Sequence, residues 1–371
     1  MYSVREALLI RKSGNEQHCY FILKDGLPIF EINKWLEYKG INSSRTSKKY
    51  SFELCKFLNY LLSINKHYRD VTKKDIVRFI DYLLFSNDKN TFVSFESNIS
   101  YTTVSSYLTV IKEFYRYLED TLNDVINLNY SKSNKRINNN SYLYGQVWDM
   151  DIKELLAHKM PRIKKTKDHI KWYSEDEIKA ISSNFNSLRD KCIFALTLEG
   201  MRIGEVTYLN LEDYNFEDEV IHLSKTKGNK ERIVPLKSQT IDLLESYLYN
   251  ERSVVEEEIG LFDALFVNLK KGKNFGTRVS YRNALNLIKT AAKNAGFNPD
   301  EIRTHSGRST RTMELLKYQS ENPDENLTDE QIRLLMGWSS SKSLEPYINQ
   351  KDEQLLVSLA KKINQSEGGS E

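Results

Sequence analysis

Three short runs near the end of the chain carry side chains that could act together on a phosphate. They contain His305 with Arg308, then Trp338, then Tyr347. A phenol is a poor nucleophile while protonated, because its ordinary pKa is about 10. It becomes effective when cations and hydrogen-bond donors surround the anion that it attacks. These residue types therefore point to phosphate chemistry, and the remaining chain must supply further donors and a grip on the polymer that carries the phosphate.

Arg202 is a candidate for a further cation at such a site. It follows an apolar helix predicted over 187–199, which Gly200 ends at a position that favours glycine. Taken singly, an arginine is more often a salt-bridge residue, a histidine more often a helix cap, and a tryptophan at a helix end more often part of a core. Only the joint order and spacing of the candidates outweigh these ordinary explanations.

A lysine-rich turn supplies the other cationic candidate. Strands are predicted over 219–223 and 231–236, and the turn between them carries Lys227 beside a turn-forming Gly-Asn pair. A protruding hairpin of this kind could bring a lysine into a site. Lys225 and Lys230 compete with Lys227 for that role. Beyond the hairpin, helices are predicted to dominate to the end of the chain.

Composition limits the possible classes of protein. The chain has 371 residues, 28% of them charged, but a net charge of only +3, so binding to a polyanion must come from local basic clusters. Three widely spaced cysteines fit neither a zinc site nor a disulfide framework. No stretch approaches the ~20 apolar residues of a membrane span, and no signal-peptide core is present. We therefore expect a soluble intracellular protein with no membrane partner, no metal site and no cofactor.

Four segments are predicted along the chain. Residues 1–28 form an extended pair, 29–120 a small helical domain, 121–171 a connector, and 172–371 a second helical domain that contains the hairpin. The connector is Asn-rich and then basic, which suits contact with a nucleic acid backbone, although a solubilising linker has the same composition. Its basic residues are Lys159, Arg162, Lys164, Lys165 and Lys167.

One helix of the first domain is predicted to carry a basic stripe. Apolar residues share one face between 44 and 62, and at about 100° per residue the opposite face carries Arg45, Lys49 and Lys56. Such a helix would pack inward and contact phosphates outward. An ordinary solvated lysine face has the same pattern.

Local capping signals mark three helix starts. In each, a Ser or Thr is followed three positions later by a residue whose side chain can accept the backbone N–H of that Ser or Thr. The pairs are Thr72 with Asp75, Ser174 with Glu177, and Thr328 with Gln331. The third helix is predicted to stop near Gly337, which leaves Trp338 at its end. A last helix over 354–363 has an apolar stripe that could pack on its own domain or dock into a neighbouring subunit.

Together the candidates resemble the tyrosine site-specific recombinases, the phage-integrase or lambda-integrase family. The resemblance covers roughly 170–365, and the 29–120 domain is similar to the core-binding domain of that family. It implies a mainly helical fold with a small antiparallel sheet in the catalytic domain, in which two domains form a clamp around DNA. The long connector suggests an enzyme of a mobile element, of the transposase A kind. The matching features are Met-Arg-Ile-Gly-Glu at Arg202, Lys-Gly-Asn-Lys-Glu-Arg from Lys227, His-x-x-Arg at His305 and Arg308, Met-Gly-Trp at Trp338, and Tyr347.

The sequence departs from the commonest family pattern at two places. Trp338 stands where many members have histidine; its indole N–H can donate as an imidazole does, but it cannot act as a base. Ser306 and Gly307 precede Arg308 where many members carry a bulkier apolar residue. Neither departure removes a donor from the set.

The resemblance implies a covalent mechanism without metal or ATP. Tyr347 would attack a DNA phosphodiester to form a 3′-phosphotyrosine, and a Holliday junction would follow. Arg202 and Arg308 would hold the non-bridging oxygens, a task that suits a planar guanidinium.

The other candidates would move or stabilise protons and charge. Lys227 would protonate the departing 5′-oxygen. His305 would donate to the phosphate or help to remove the tyrosine proton, and Trp338 would donate from its indole N–H. Glu205 would orient a neighbouring side chain.

The resemblance also implies partners. These are double-stranded DNA with specific core sites, further copies in a synaptic homo-tetramer joined through the C-terminal helix, and accessory recombination proteins, at the nucleoid of a bacterial or phage-type host. Two alternatives share the fold. A catalytically silent DNA-binding protein would have no reason to retain every candidate side chain, and an enzyme that relaxes supercoils or resolves ends would use the same tyrosine chemistry.

Overall fold

The fold is described from a computed structural model of the chain. It describes residues 1–10, 16–41, 43–85, 99–126, 170–224 and 231–353. Within these residues helices dominate, accompanied by two antiparallel sheets of three strands each, so the predicted mainly helical fold class is confirmed. The chain divides into two compact units, Met1–Lys167 and Asp168–Glu371. Each unit has its own apolar core.

The first unit begins with a sheet. β1 (Tyr2–Ile10) pairs antiparallel with β2 (Glu16–Lys24), and β3 (Leu27–Pro28) pairs with the end of β2. The turn between β2 and β3 lies at Asp25 and Gly26, both at positive φ, as a tight hairpin requires. The predicted pairing is confirmed, with longer strands than expected. Buried residues of β1 and β2 belong to the apolar core of the helices that follow.

The described part of the first unit continues with four α-helices. The predicted basic helix is α2 (Ser44–Ser63), and its apolar face (Leu54, Phe57, Leu58 and Leu61) is buried. α3 (Lys73–Phe85) starts as its sequence predicts, because Asp75 accepts hydrogen bonds from the backbone N–H and the hydroxyl of Thr72. The helices are α1 (Phe30–Gly40), α2 (Ser44–Ser63), α3 (Lys73–Phe85) and α4 (Tyr101–Ile126).

The second unit opens with helices that local signals specify. α5 (Glu175–Ser183) starts at the predicted capping box, in which Ser174 and Glu177 each accept the other's backbone N–H. α6 (Leu188–Leu198) is capped by Ser187 and mostly buried. Gly200 follows it at φ +92°, the left-handed conformation expected after a helix end. α7 (Ile203–Tyr208) begins immediately afterwards, with Arg202 as its N-cap.

A small sheet follows α7. β5 (Val220–Leu223) and β6 (Arg232–Pro235) form the predicted hairpin, within one residue of the expected strands. β4 (Tyr214–Asn215) pairs with β5. Sequence reasoning missed this strand because two residues are too few to show an alternating pattern. The turn itself, residues 225–230, lies outside the described residues.

Helices dominate the described residues after the hairpin, as predicted, but residues 260–280 are non-helical. Leu265, Phe266 and Val267 are fully buried there in non-helical backbone, and Leu265 and Val279 bond across to Leu209 and Phe266. Periodicity cannot distinguish a short buried apolar run of this kind from a helix. The helices on either side are α8 (Ser238–Tyr247), α9 (Ser253–Ile259) and α10 (Tyr281–Asn294), with a π-helical turn at Leu248–Arg252.

The last elements bring the candidate residues together. α11 (Ser306–Glu321) and α12 (Asp329–Leu335) are followed by a helical segment at 345–353. α12 has the predicted capping box between Thr328 and Gln331. The predicted helix over 354–363 lies outside the described residues. No described helix combines the length and apolarity needed to cross a membrane.

Candidate active site

Arg202 is fixed by a carboxylate one turn away. As N-cap of α7, it donates its backbone N–H to Glu205 Oε2 at 2.9 Å and its guanidinium Nη1 to Glu205 Oε1 at 2.5 Å. The Glu205 side chain is only 5% exposed, whereas that of Arg202 is 26% exposed. Glu205 therefore orients an arginine whose remaining donors can face a ligand, and this position fits the supporting role expected of Glu205.

A second arginine shares that carboxylate, and sequence reasoning missed it. Arg232 Nη2 donates to Glu205 Oε2 at 2.8 Å, and its guanidinium also reaches the carbonyl oxygens of Gly200 and Leu335. A usable signal was present, because alternation in β6 places Arg232 on the same face as the buried Val234.

The approach of Arg232 depends on a glycine. Gly337 adopts φ +60°, and a Cβ at this position would lie 2.6 Å from Arg232 Cδ. A side chain would therefore have both an unfavourable backbone and a collision to accommodate. The glycine before Trp338 thus lets the buried arginine lie against the end of α12.

Arg308 joins the same group of charges from α11. It is 3% exposed, donates Nη1 to the Gly200 carbonyl at 2.5 Å, and donates Nη2 to the Met336 carbonyl. These two bonds connect α11 to the loop after α6 and to the end of α12. The guanidinium is consequently held in place before any ligand arrives.

The site has more positive than negative charge. Burial, together with the nearby positive charges of Arg202 and Arg232, lowers the pKa of Arg308 to about 9, although Glu205 and Tyr347 oppose the shift. Burial would raise the pKa of Glu205, but Arg232 and Arg202 hold it below its ordinary value. Three guanidinium groups around one carboxylate make this a site suited to an anion.

Trp338 connects Tyr347 to Arg308, because both side chains pack against its ring. The Arg308 Cζ atom is 5.5 Å from the centroid of the Trp338 ring, and the Trp338 and Tyr347 rings stack with centroids 5.7 Å apart at 27°. The Tyr347 hydroxyl lies 3.1 Å from the hydroxyl of Ser309. Ser309 is a second residue that sequence reasoning missed. The phenol is thus connected to Arg308 through Trp338, and to the residue after Arg308 through its hydroxyl, within one unit of the chain.

The remaining predicted residues are placed as follows. His305 is the exposed N-cap of α11, one helical turn before Arg308. Lys227, Lys225 and Lys230 lie outside the described residues. Among the described residues, no cluster of three or more His, Cys, Asp or Glu side chains could hold a metal ion.

The basic residues predicted on α2 are exposed. Lys49 Nζ lies 3.8 Å from Glu53 Oε1, Lys56 Nζ lies 5.7 Å from the centroid of the Tyr107 ring, and Arg45 is exposed one turn before Lys49. The three belong to the first unit and not to the cluster around Arg308. The five basic residues of the connector, Lys159, Arg162, Lys164, Lys165 and Lys167, lie outside the described residues.

Replacing Glu205 should lower the stability of the fold, because its carboxylate offsets the repulsion between the clustered arginines. Glu205→Gln leaves two guanidinium groups without their carboxylate, so we expect the free energy of unfolding at pH 7 to fall by about 3 kcal/mol. The folded-state pKa of Glu205 lies below its ordinary 4.5, so its contribution is complete above that pH and is lost as the pH falls through the lowered value.

Urea unfolding of both proteins at pH 7 and pH 3 measures this effect. The difference between wild type and Glu205→Gln should narrow at pH 3. The control is Glu330→Gln, which removes a carboxylate that is 62% exposed and also pairs with an arginine. An equal difference at both pH values would contradict the assigned role of the Glu205 charge.

Comparison with known proteins identifies the family. Residues 171–354, which include the whole cluster described above, match the family model of the phage integrase family. The chain belongs to this family of tyrosine recombinases. The resemblance seen in the sequence is therefore confirmed.

Two relatives of this recombinase have related functions by name. Transposase A of transposon Tn554 from Staphylococcus aureus is 27% identical over 303 residues, which cover 78% of this chain and 80% of the transposase. A tyrosine recombinase of Thermosipho africanus is 27% identical over 222 residues, which cover 58% of this chain and 65% of that protein.

A solved structure shares the fold of this recombinase. The XerH site-specific recombinase, in a post-cleavage complex with a palindromic difH substrate, aligns with a TM-score of 0.59 at 16% identity. The alignment covers 85% of this chain and 80% of XerH. At this identity the likeness concerns the fold alone.

Proposed function

We propose that this recombinase cleaves and rejoins DNA through a covalent 3′-phosphotyrosine at Tyr347. The observation that carries the proposal is the stack of Arg308, Trp338 and Tyr347, with centroid distances of 5.5 and 5.7 Å. The stack supports the proposal because it connects the Tyr347 ring, through Trp338, to a buried cation in a site with excess positive charge. That combination is what attack on a phosphodiester needs.

In the proposed first step, Tyr347 Oη forms a bond to phosphorus and the bond from phosphorus to the 5′-oxygen breaks. Arg202 and Arg308 hold the non-bridging oxygens, each as a fork of two donors. The phenolic proton leaves with the help of His305, and the 5′-oxygen takes a proton from Lys227. Trp338 donates its indole N–H to the phosphate.

The phosphotyrosine conserves the energy of the broken bond. A 5′-hydroxyl from another strand can therefore attack it and rejoin the DNA without ATP. The guanidinium groups neutralise the charge of the pentacoordinate transition state, so the route needs no metal ion. Exchange of one strand from each of two duplexes gives a Holliday junction.

The proposed substrate is double-stranded DNA with specific core sites, bound by a synaptic homo-tetramer. The DNA complex of XerH and the exposed Arg45, Lys49 and Lys56 on α2 support DNA binding. In this proposal, residues 29–120 form the DNA-binding domain, residues 121–171 the basic linker and residues 172–371 the catalytic domain. The two domains close round the duplex as a clamp. Accessory recombination proteins complete the assembly, and the similarity to Transposase A of Tn554 favours movement of a mobile element as the outcome.

A plasmid assay separates exchange from simple relaxation. We expect plasmids that carry two core sites to yield recombinant products, while plasmids with a single site yield no intramolecular recombinant, because exchange needs two synapsed duplexes. Supercoil relaxation of equal rate with one or two sites, and no recombinants, would show a topoisomerase-like activity. Binding without any change in topology would show a silent DNA-binding protein.

A further inference from the structure

The hydroxyl of Ser309 has an unusual partner among its neighbours on α11. The hydroxyls of Thr310 and Thr312 donate to the carbonyls of Ser306 and Arg308, four residues earlier, each at 3.0 Å. Such bonds satisfy a buried hydroxyl within its own helix. Ser309, in contrast, meets the hydroxyl of Tyr347 at 3.1 Å, although 38 residues separate the two. It therefore connects the helix to the proposed nucleophile.

The helix that carries Ser309 is firmly positioned. Ser309 is 3% exposed and follows Arg308 directly. A Cβ on Gly307 would lie 2.3 Å from Thr197 Oγ1, which shows how closely α11 packs on α6. Thr310 Oγ1 also accepts the backbone N–H of Tyr173 at 2.9 Å. One rigid segment thus carries both the phosphate-binding guanidinium and the hydroxyl that contacts Tyr347.

Two contacts together define the position of the Tyr347 oxygen. The stack on Trp338 fixes the plane of the ring but leaves the ring free to slide in that plane. The contact with Ser309 fixes the oxygen at the end of the ring. Arg308 and Ser309 are consecutive residues. The contact with Ser309 therefore sets the position of Tyr347 Oη relative to the cation that would hold the phosphate.

We propose that Ser309 is a positioning residue for Tyr347. This inference rests on the function proposed above. Ser309 holds the phenol in the site of its own subunit and donates its O–H to Oη as negative charge develops there. The Ser309 O–H bond stays intact throughout. The phenolic proton leaves on the opposite side as the bond from oxygen to phosphorus forms.

The test compares variants by their rate of covalent adduct formation on a nicked suicide substrate, and by their affinity for uncut DNA. Ser309→Ala should lower the adduct rate about tenfold, the lower end of the loss for a hydrogen bond to a charged group. DNA affinity should not change, because Ser309 contacts the nucleophile and not the DNA. Ser309→Thr keeps the hydroxyl and should restore most of the rate.

The matched control is Ser320→Ala. Ser320 lies on the same helix, and its hydroxyl donates to the Leu316 carbonyl at 2.9 Å, so this variant should react like wild type. Thermal melting checks folding. If Ser309→Ala does not fold, Ser309→Cys replaces it, because a thiol is a weak donor of similar size and should give an intermediate rate.

The outcomes separate this inference from the proposed function. Absence of an adduct in wild-type protein would refute the function and the inference with it. A normal wild-type adduct with Ser309→Ala reacting equally fast or faster would refute only the inference, as would a slow Ser309→Ala that Ser309→Thr does not restore.

Discussion

Tyr347→Phe should form no covalent adduct with a nicked suicide substrate, while its affinity for DNA remains that of wild type. Phenylalanine keeps the ring that stacks on Trp338 at 5.7 Å, so the apolar contacts at the end of the chain persist. Only the oxygen that would attack phosphorus is lost, and no other atom of the ring can replace it. A denaturing gel measures the adduct, and a mobility shift measures binding.

The control for this variant is Tyr249→Phe. Tyr249 is 82% exposed in the same unit of the chain, and loss of its hydroxyl should leave the adduct unchanged. An adduct that survives in Tyr347→Phe would show that another residue is the nucleophile.

Arg308→Ala should slow cleavage by about 10²- to 10³-fold, the usual effect of removing one preorganised donor from a charged transition state. Arg308→Lys should also be strongly impaired, because an ammonium group keeps the charge but cannot form the same fork. The guanidinium presently donates to the carbonyls of Gly200 and Met336, so the lysine variant tests geometry separately from charge.

Single-turnover cleavage and thermal melting should be measured together for these variants. Lys317→Ala is the control, since it removes a cation from the same helix whose side chain is 69% exposed. Folded Arg308→Ala or Arg308→Lys protein that cleaves at the wild-type rate would remove Arg308 from the active site.

Features set by neighbouring residues were predictable from the sequence. The caps at Thr72, Ser174 and Thr328 rest on bonds that span three residues, so the local pattern contains all the information needed. The end of α6 at Gly200 and the hairpin of β5 and β6 were also predictable, for the same reason. These local features determine where the candidate side chains enter the site.

The two missed residues depend on contacts between distant parts of the chain. Arg232 reaches Glu205 from 27 positions away, and Ser309 reaches Tyr347 across 38 positions. Alternation within β6 could have placed Arg232 on the inner face, but nothing in the sequence around Ser309 sets it apart from the other hydroxyls of α11. The contact that supports its proposed role joins α11 to the helical segment at 345–353.

The buried run at 265–267 was missed for a different reason. Apolar periodicity reports burial more reliably than it reports the type of backbone, and short fully buried segments satisfy either interpretation. In this chain the segment bonds to Leu209 and Val279 and supports the core beneath α7. The non-helical segment lies outside the cluster around Arg308, so the prediction of the candidate residues did not depend on it.

Identification of the residue that becomes joined to DNA tests the central proposal most directly. Wild-type protein trapped on a suicide substrate would be digested with protease and nuclease, and the modified peptide sequenced by mass spectrometry. The proposal predicts a 3′-linked nucleotide on the peptide containing Tyr347, attached to its phenolic oxygen. A nucleotide on any other side chain, or cleaved DNA without a linked peptide, would contradict it.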